Sequence, residues 1–127
     1  MIFDSDVMIW AFRGNERALR AIDEATVRSI SAVTYMELLQ GVRNKDELRE
    51  MRKFLSGLSF ATLPVTANVS NRAMTIMEET ALKSELGVCD ALIFATACET
   101  GDTLLSGNKK HFKEVPLLNA VEFKAGK

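Results

Sequence analysis

The spacing of apolar residues changes period repeatedly along the chain. Short apolar runs with strand character alternate with stretches that repeat every three to four residues. Residues 1–4 read as a strand ending on an acid, and Ser5 or Asp6 is placed to cap a helix running to about Phe12. Gly14-Asn15 breaks that helix. Residues 16–25 form the next one, with Leu19, Ile22 and Ala25 on one face, and 27–30 form a second strand. Residues 31–41 are helical and carry Tyr35, Leu38 and Leu39. Asn44 with Glu47 three residues on resembles a capping box, opening a helix whose stripe is Leu48, Met51, Leu55 and Leu58. Residues 60–65 make a third strand. Pro64 within it cannot donate to a ladder, which puts that strand at an edge. A long helix over 67–83 lines up Val69, Ala73, Ile76, Met77 and Thr80. Gly87 separates it from an apolar helix over 89–100, closed by Gly101. Residues 103–106 form a fourth strand, 107–110 a polar loop, and 117–121 a fifth short strand.

This alternation predicts an α/β fold, with a parallel sheet of four to five short strands flanked by helices. With 127 residues and neither a linker nor a repeat, one domain over 1–127 is expected. A chain of this length buries about two-thirds of its unfolded surface, enough for a core without staples. At 47% hydrophobic and 26% charged, the composition excludes a disordered or coiled-coil protein.

The net charge of −1 excludes binding of nucleic acid by bulk charge and leaves only local basic patches. Cys89 and Cys98 are expected as buried thiols on a helix. They form no CxxC, and with the single His111 they cannot complete a zinc set. Asp4 and Asp6 stand where a secretory signal needs bases, and no apolar run nears the roughly 18 residues of a membrane span. The expected location is the cytoplasm.

Four polar positions stand at element ends beside apolar runs: Asp4, Glu37, Asp90 and Asn108. Asp4 ends the first strand, and Glu37 lies in the helix leaving the second. Asp90 opens the helix that feeds the fourth strand, and Asn108 follows that strand. In a parallel sheet all four belong at the carboxyl edge, where open α/β sheets place ligands. Three carboxylates in one crevice repel each other, and their hard oxygens suit Mg²⁺ or Mn²⁺ better than Zn²⁺. A phosphate-ester substrate and a metal-bound water follow from that chemistry. Plainer roles stay open at each position. The Asp4-Ser5-Asp6 run can simply cap a helix, and Thr34-x-x-Glu37 matches a capping box. Asp90 can serve as a favourable charge at a helix N-terminus.

Four segments resemble the PIN-domain ribonucleases, specifically VapC-type toxins of toxin–antitoxin pairs. They are Ile2-Phe3-Asp4-Ser5-Asp6-Val7, the stretch 31–41 around Glu37, the stretch 90–97 opened by Asp90, and 104–112 with Ser106, Asn108 and His111. Together they cover nearly the whole chain, in family order. The resemblance implies Mg²⁺- or Mn²⁺-dependent cleavage of RNA, with Asp4, Glu37 and Asp90 holding the metal and orienting water. It implies that Ser106 and Asn108 line the site and that Asp6 supports the first acid. Many PIN domains carry a fourth acid after the fourth strand. Asn108 and His111 occupy that region here, which favours a single ion.

From residue 107 onward, Lys109, Lys110, Lys113, Lys124 and Lys127 face only Glu114 and Glu122. Lys109, Lys110, Arg13 and Arg43 are candidate RNA contacts, with ordinary solvated surface as the alternative. His111 is a proton-shuttle candidate or a structural histidine. The resemblance also implies a homodimer and a small antitoxin partner, for which the helix 44–58 with Met36, Met51 and Phe54 offers apolar surface.

Two other readings compete. Phe3-Asp4-Ser5-Asp6-Val7 also resembles a haloacid-dehalogenase-like phosphatase, with Asp4 as nucleophile and Asp6 as acid/base. That reading gives Glu37 and Asp90 no task. The other is a PIN-like binding module without catalysis.

Overall fold

The computed structural model describes residues 1–126. Its sheet has five parallel strands: β1 (Ile2–Phe3), β2 (Ser29–Ser31), β3 (Ala61–Leu63), β4 (Leu104–Ser106) and β5 (Ala120–Glu122). Their spatial order is β3-β2-β1-β4-β5. Ile2 stands opposite both Ser29 and Leu104, and Phe3 opposite Leu105. Six helices connect them: α1 (Ser5–Phe12), α2 (Glu16–Glu24), α3 (Ala32–Gln40), α4 (Lys45–Gly57), α5 (Ala67–Thr80) and α6 (Val88–Thr100). A 3-10 helix, Lys109–Glu114, follows β4.

Successive strand residues point to opposite faces, so neighbours in sequence serve different cores. Ile2 and Leu104 pack with Val69, Ala73, Ile76 and Phe94 of α5 and α6. Phe3 and Leu105 pack on the other side with Val7, Met8, Ile22, Met51 and Leu55 of α1, α2 and α4. β1 and the first two residues of β4 therefore carry apolar residues without alternation, as a sheet covered on both faces requires. Burying a side chain such as Phe3 stabilises the fold by about 2–3 kcal/mol, and an edge-on contact with Phe60 at 5.6 Å fixes the ring.

β3 is the edge strand expected from Pro64, which lies just past its end. Other boundaries moved for local reasons. Asp4, not Ser5 or Asp6, is the N-cap of α1. Asn15 is both the break after α1 and the cap of α2, its Oδ1 accepting from Ala18 N at 3.0 Å. β2 runs on to Ser31, whose hydroxyl caps α3 by accepting from Val33 N. α5 ends at Thr80, because the amides of Lys83 and Ser84 both turn back onto the Thr80 carbonyl. Leu117 has φ 72, a left-handed conformation that no strand accommodates, so β5 begins only at Ala120. The expected polar loop after β4 is shorter, because Lys109 already opens the 3-10 helix.

The stripe of α2 is also shifted. Ala18 and Ile22 are buried, whereas Leu19 is 38% exposed. Cys89 is exposed rather than buried, since α6 turns Ala91, Phe94 and Ala97 to the core, and Cys98 is half-buried. Among the described residues no helix is long and apolar enough to cross a membrane.

The corrected stripe is testable by urea unfolding. Ile22→Ala should cost about 2–4 kcal/mol, and Leu19→Ala about 0.5 kcal/mol or less. Equal losses would restore the stripe expected from sequence.

Candidate active site

The chain lays down β1, β2 and β3 toward one edge, then returns to place β4 and β5 on the other side of β1. Connections leaving β1 and β4 therefore diverge, and a crevice opens at their carboxyl ends. Asp4 and Ser106 meet there. Ser106 Oγ donates to Asp4 Oδ2 at 2.7 Å, and Ser5 N donates to Asp4 Oδ1 at 2.7 Å. Asn108 N donates to Ser106 Oγ at 3.0 Å, so that hydroxyl is held from both sides. Asp4 is 5% exposed and Ser106 is fully buried.

Glu37 reaches the same place from α3. Because Ser31 caps that helix, Glu37 lies beyond its first turn and makes no capping box with Thr34. Ser5 Oγ instead donates to Glu37 Oε1 at 2.5 Å and lies 3.2 Å from the buried Thr34 Oγ1. Ser5 thus ties two acids together, Asp4 through its amide and Glu37 through its hydroxyl.

Asp90, in the first turn of α6, accepts from Gly87 N at a long 3.4 Å. Its helix-capping role is real but weak, and its charge acts elsewhere. It raises the pKa of both Asp4 and Asp6. Glu37 and Asp90 also both raise the Cys89 thiol, behind the larger effect of burial, so the two acids flank one side chain.

Asp6 is bound on both oxygens. Oδ1 accepts from Val7 N and Oδ2 from Gly107 N, each at 2.8 Å. A Cβ at Gly107 would sit 2.5 Å from Asp6 Oδ2, so this close approach needs glycine. Asp6 fastens the loop after β4 to the start of α1, which positions Ser106 and Asn108.

Burial pushes the Asp4 carboxyl from 3.8 up to about 6, with Asp6 and Asp90 adding and the Ser106 and Ser5 hydrogen bonds opposing. Asp6 is raised too, chiefly by burial. Among the described residues, no Lys, Arg or His forms an ion pair with Asp4, Asp6, Glu37 or Asp90. Hard oxygen donors with uncompensated charge are the chemistry of a Mg²⁺ or Mn²⁺ site. Among the described residues, no three acids, cysteines or histidines are already arranged to hold a metal ion together. The fit to a hard cation rests on donor chemistry alone: Asp4 and Glu37 both bond Ser5, and the Asp90 charge acts on Asp4.

The basic candidates are partly occupied. Arg43 pairs with Glu47 at 2.9 Å, Lys109 with Glu122 at 3.7 Å and Lys110 with Glu85 at 3.9 Å. The pairing of Arg43 also halves the expected capping box. Asn44 Oδ1 accepts from Glu47 N, but Glu47 turns its carboxylate to Arg43. Arg13 is exposed and in no ion pair among the described residues. His111 is buried and bonded through Nδ1 to Glu114 and to Ser84 Oγ, which is a structural role. Ser5, Thr34 and Gly107 were not legible as site residues. The only signal for Ser5 was its place between two acids.

A model of the PIN domain matches residues 1–118. The chain belongs to the PIN-domain family. Solved structures share the fold at low identity. VapBC2 from Rickettsia felis, bound to a DNA fragment from its promoter, is 22% identical, with 98% of this chain and 100% of that one covered at a TM-score of 0.80. A toxin–antitoxin complex from Klebsiella pneumoniae is 24% identical, with 99% and 98% covered at 0.77. A DNA-bound VapBC from Salmonella typhimurium is 19% identical, with 95% and 96% covered at 0.81. No curated protein matches the chain.

In this PIN domain the phosphatase reading is disfavoured because it gives no task to Glu37, which Ser5 ties to Asp4, or to Asp90, whose charge acts on Asp4.

The raised Asp4 carboxyl gives a signed prediction. The folded state binds this proton more tightly than the unfolded chain. The stability it contributes is therefore complete below pH 3.8 and is lost as pH rises through about 6. The charged form then costs roughly 3 kcal/mol. Asp4→Asn should melt higher than the metal-free wild type at pH 7, by about 1–2 kcal/mol once a weakened hydrogen bond is subtracted. The advantage should vanish near pH 4. Thermal melts across that range check it, and a variant less stable at pH 7 would contradict it.

Proposed function

We propose that this PIN domain is a Mg²⁺- or Mn²⁺-dependent endoribonuclease, the toxin of a VapBC-like toxin–antitoxin pair. One observation carries the reading: Asp4 is buried at the switch point of the sheet, is tied to Glu37 through Ser5, feels the Asp90 charge, and forms no ion pair with any described Lys, Arg or His. Membership of the PIN family supports nuclease chemistry, and the similar solved structures are toxin–antitoxin assemblies.

Asp4, Glu37 and Asp90 are the residues that would hold the ion. When bound, it supplies positive charge against a phosphate and an acidified water. The chain's own groups do the positioning. Ser5 and Ser106 fix the Asp4 carboxylate, and Ser5 holds Glu37 against it. Asp6, through Gly107, sets the loop from which the Asn108 amide addresses the substrate. Arg13, Arg43, Lys109 and Lys110 contact phosphates and orient the strand.

For the antitoxin, Trp10 and Met36 are two of the exposed apolar groups, at 46% and 57% exposure. Met51 and Phe54 do not serve, since Met51 is buried and Phe54 packs edge-on against Phe12 at 5.5 Å. A cytoplasmic homodimer completes the proposal.

Purified protein, freed of any co-purifying partner, should cut total cellular RNA into discrete fragments with Mn²⁺ and none with a chelator. Asp4→Asn, Glu37→Gln and Asp90→Asn should each lower the rate by about 100-fold or more. Full activity in Asp90→Asn would remove the third acid from the site. Hydrolysis of a small phosphomonoester in place of RNA would favour the phosphatase.

A further inference from the structure

Beside the acids lies a second hollow. A crevice of about 370 Å³ opens between α1, α3 and α4, and Glu37 forms part of its wall. Phe12, Leu38 and Met51 line its interior, while Arg13, Arg43 and Glu50 are exposed at its margin. Arg43 is held by Glu47 through Nε at 3.3 Å and Nη2 at 2.9 Å. Arg13 lies close enough to help lower the Glu47 carboxylate, yet forms no ion pair of its own among the described residues.

We propose that this crevice is a nucleotide subsite. It takes the base next to the scissile phosphate and so sets where the RNA is cut. The assignment rests on the RNA-cleaving reading above. Its volume falls within the range of small-ligand pockets. Unstacked RNA bases are recognised by aromatic and apolar faces, guanidinium planes and hydrogen bonds to base edges, and the crevice offers all three. Because Glu37 is shared, a strand lying across the acids brings its adjoining nucleotide to the opening. The charges decide which part enters. Glu37, Glu47 and Glu50 repel a phosphate, so the phosphate stays outside on Arg13 while the base goes in. The Glu50 carboxylate accepts hydrogen bonds and donates none, so it pairs with a base edge that presents N–H groups.

Gly41 provides a plug. It lines the crevice with φ −81, and a Cβ there meets only the Glu37 and Leu38 carbonyl oxygens at 3.5 and 3.8 Å, ordinary contact distances. Gly41→Trp therefore fills the hollow without backbone strain, and Arg13→Ala removes the free guanidinium from an exposed position. The test digests total cellular RNA and a randomised 20-nucleotide RNA pool with Mn²⁺ and sequences the fragment ends. The wild type should show a base preference at one position beside the cut. Gly41→Trp should flatten that preference and lower kcat/KM about tenfold. Arg13→Ala should raise KM several-fold and leave kcat near wild type. Melting curves show whether each variant is folded, and Arg13→Ala carries the test if Gly41→Trp is not. Unchanged preference and KM in folded variants overturn the subsite while leaving the nuclease reading intact. Unchanged cleavage with lost capture of a small protein from lysate assigns the crevice to a protein partner instead. A wild type that leaves both RNAs intact overturns the nuclease reading and the subsite with it.

Discussion

Asp4 is a carboxylate that the fold takes almost completely out of water, and among the described residues no Lys, Arg or His pairs with it. Burial alone raises its proton affinity, and the charges of Asp6 and Asp90 raise it further. Only two hydrogen bonds, from Ser5 N and Ser106 Oγ, work in the opposite direction. A structural carboxylate would have a lysine or arginine beside it, because an unpaired buried charge costs several kcal/mol. The surrounding architecture keeps this one unpaired and tightly placed. β1 and β4 adjoin so that Asp4 and Ser106 meet, and α3 and α6 start from the same edge to bring Glu37 and Asp90.

The supports matter as much as the acids. Ser5 is one residue with two duties, since its amide serves Asp4 and its hydroxyl serves Glu37. Gly107 lets a backbone amide approach Asp6 more closely than any side chain would permit. These contacts join α1 to α3 and to the loop after β4 in one hydrogen-bonded network, while Asp90 stands apart on Gly87 N. The nearly neutral total charge hides this local arrangement. Acids gather at the crevice, while Lys109, Lys110 and Lys124 balance Glu85 and Glu122 around its flank.

Much of this was legible in the sequence. The alternation of period gave the parallel sheet, Pro64 gave the edge strand, and the element ends brought Asp4, Glu37 and Asp90 to one sheet edge. What escaped depends on three-dimensional neighbours. The face of α2 was misjudged because Leu19 is apolar, and periodicity alone does not weigh Ala18 against it. Cys89 looked buried because apolar residues surround it in sequence, although α6 turns it outward. Leu117 was read into a strand because its left-handed backbone leaves no trace in residue type. Ser5 and Gly107 act through single hydrogen bonds to residues 32 and 101 positions away, which no local pattern encodes.

The central claim is that the crevice is an uncompensated anionic site built for a divalent cation. Calorimetric titration of Mn²⁺ into chelator-stripped protein, in buffers of different ionisation enthalpy, tests it most directly. At pH 6, near the raised value for Asp4, binding should release more protons than at pH 8. Asp4→Asn should bind more weakly and release fewer protons than the wild type at pH 6. Absence of binding at millimolar Mn²⁺, or binding that Asp4→Asn leaves unchanged, would contradict the account.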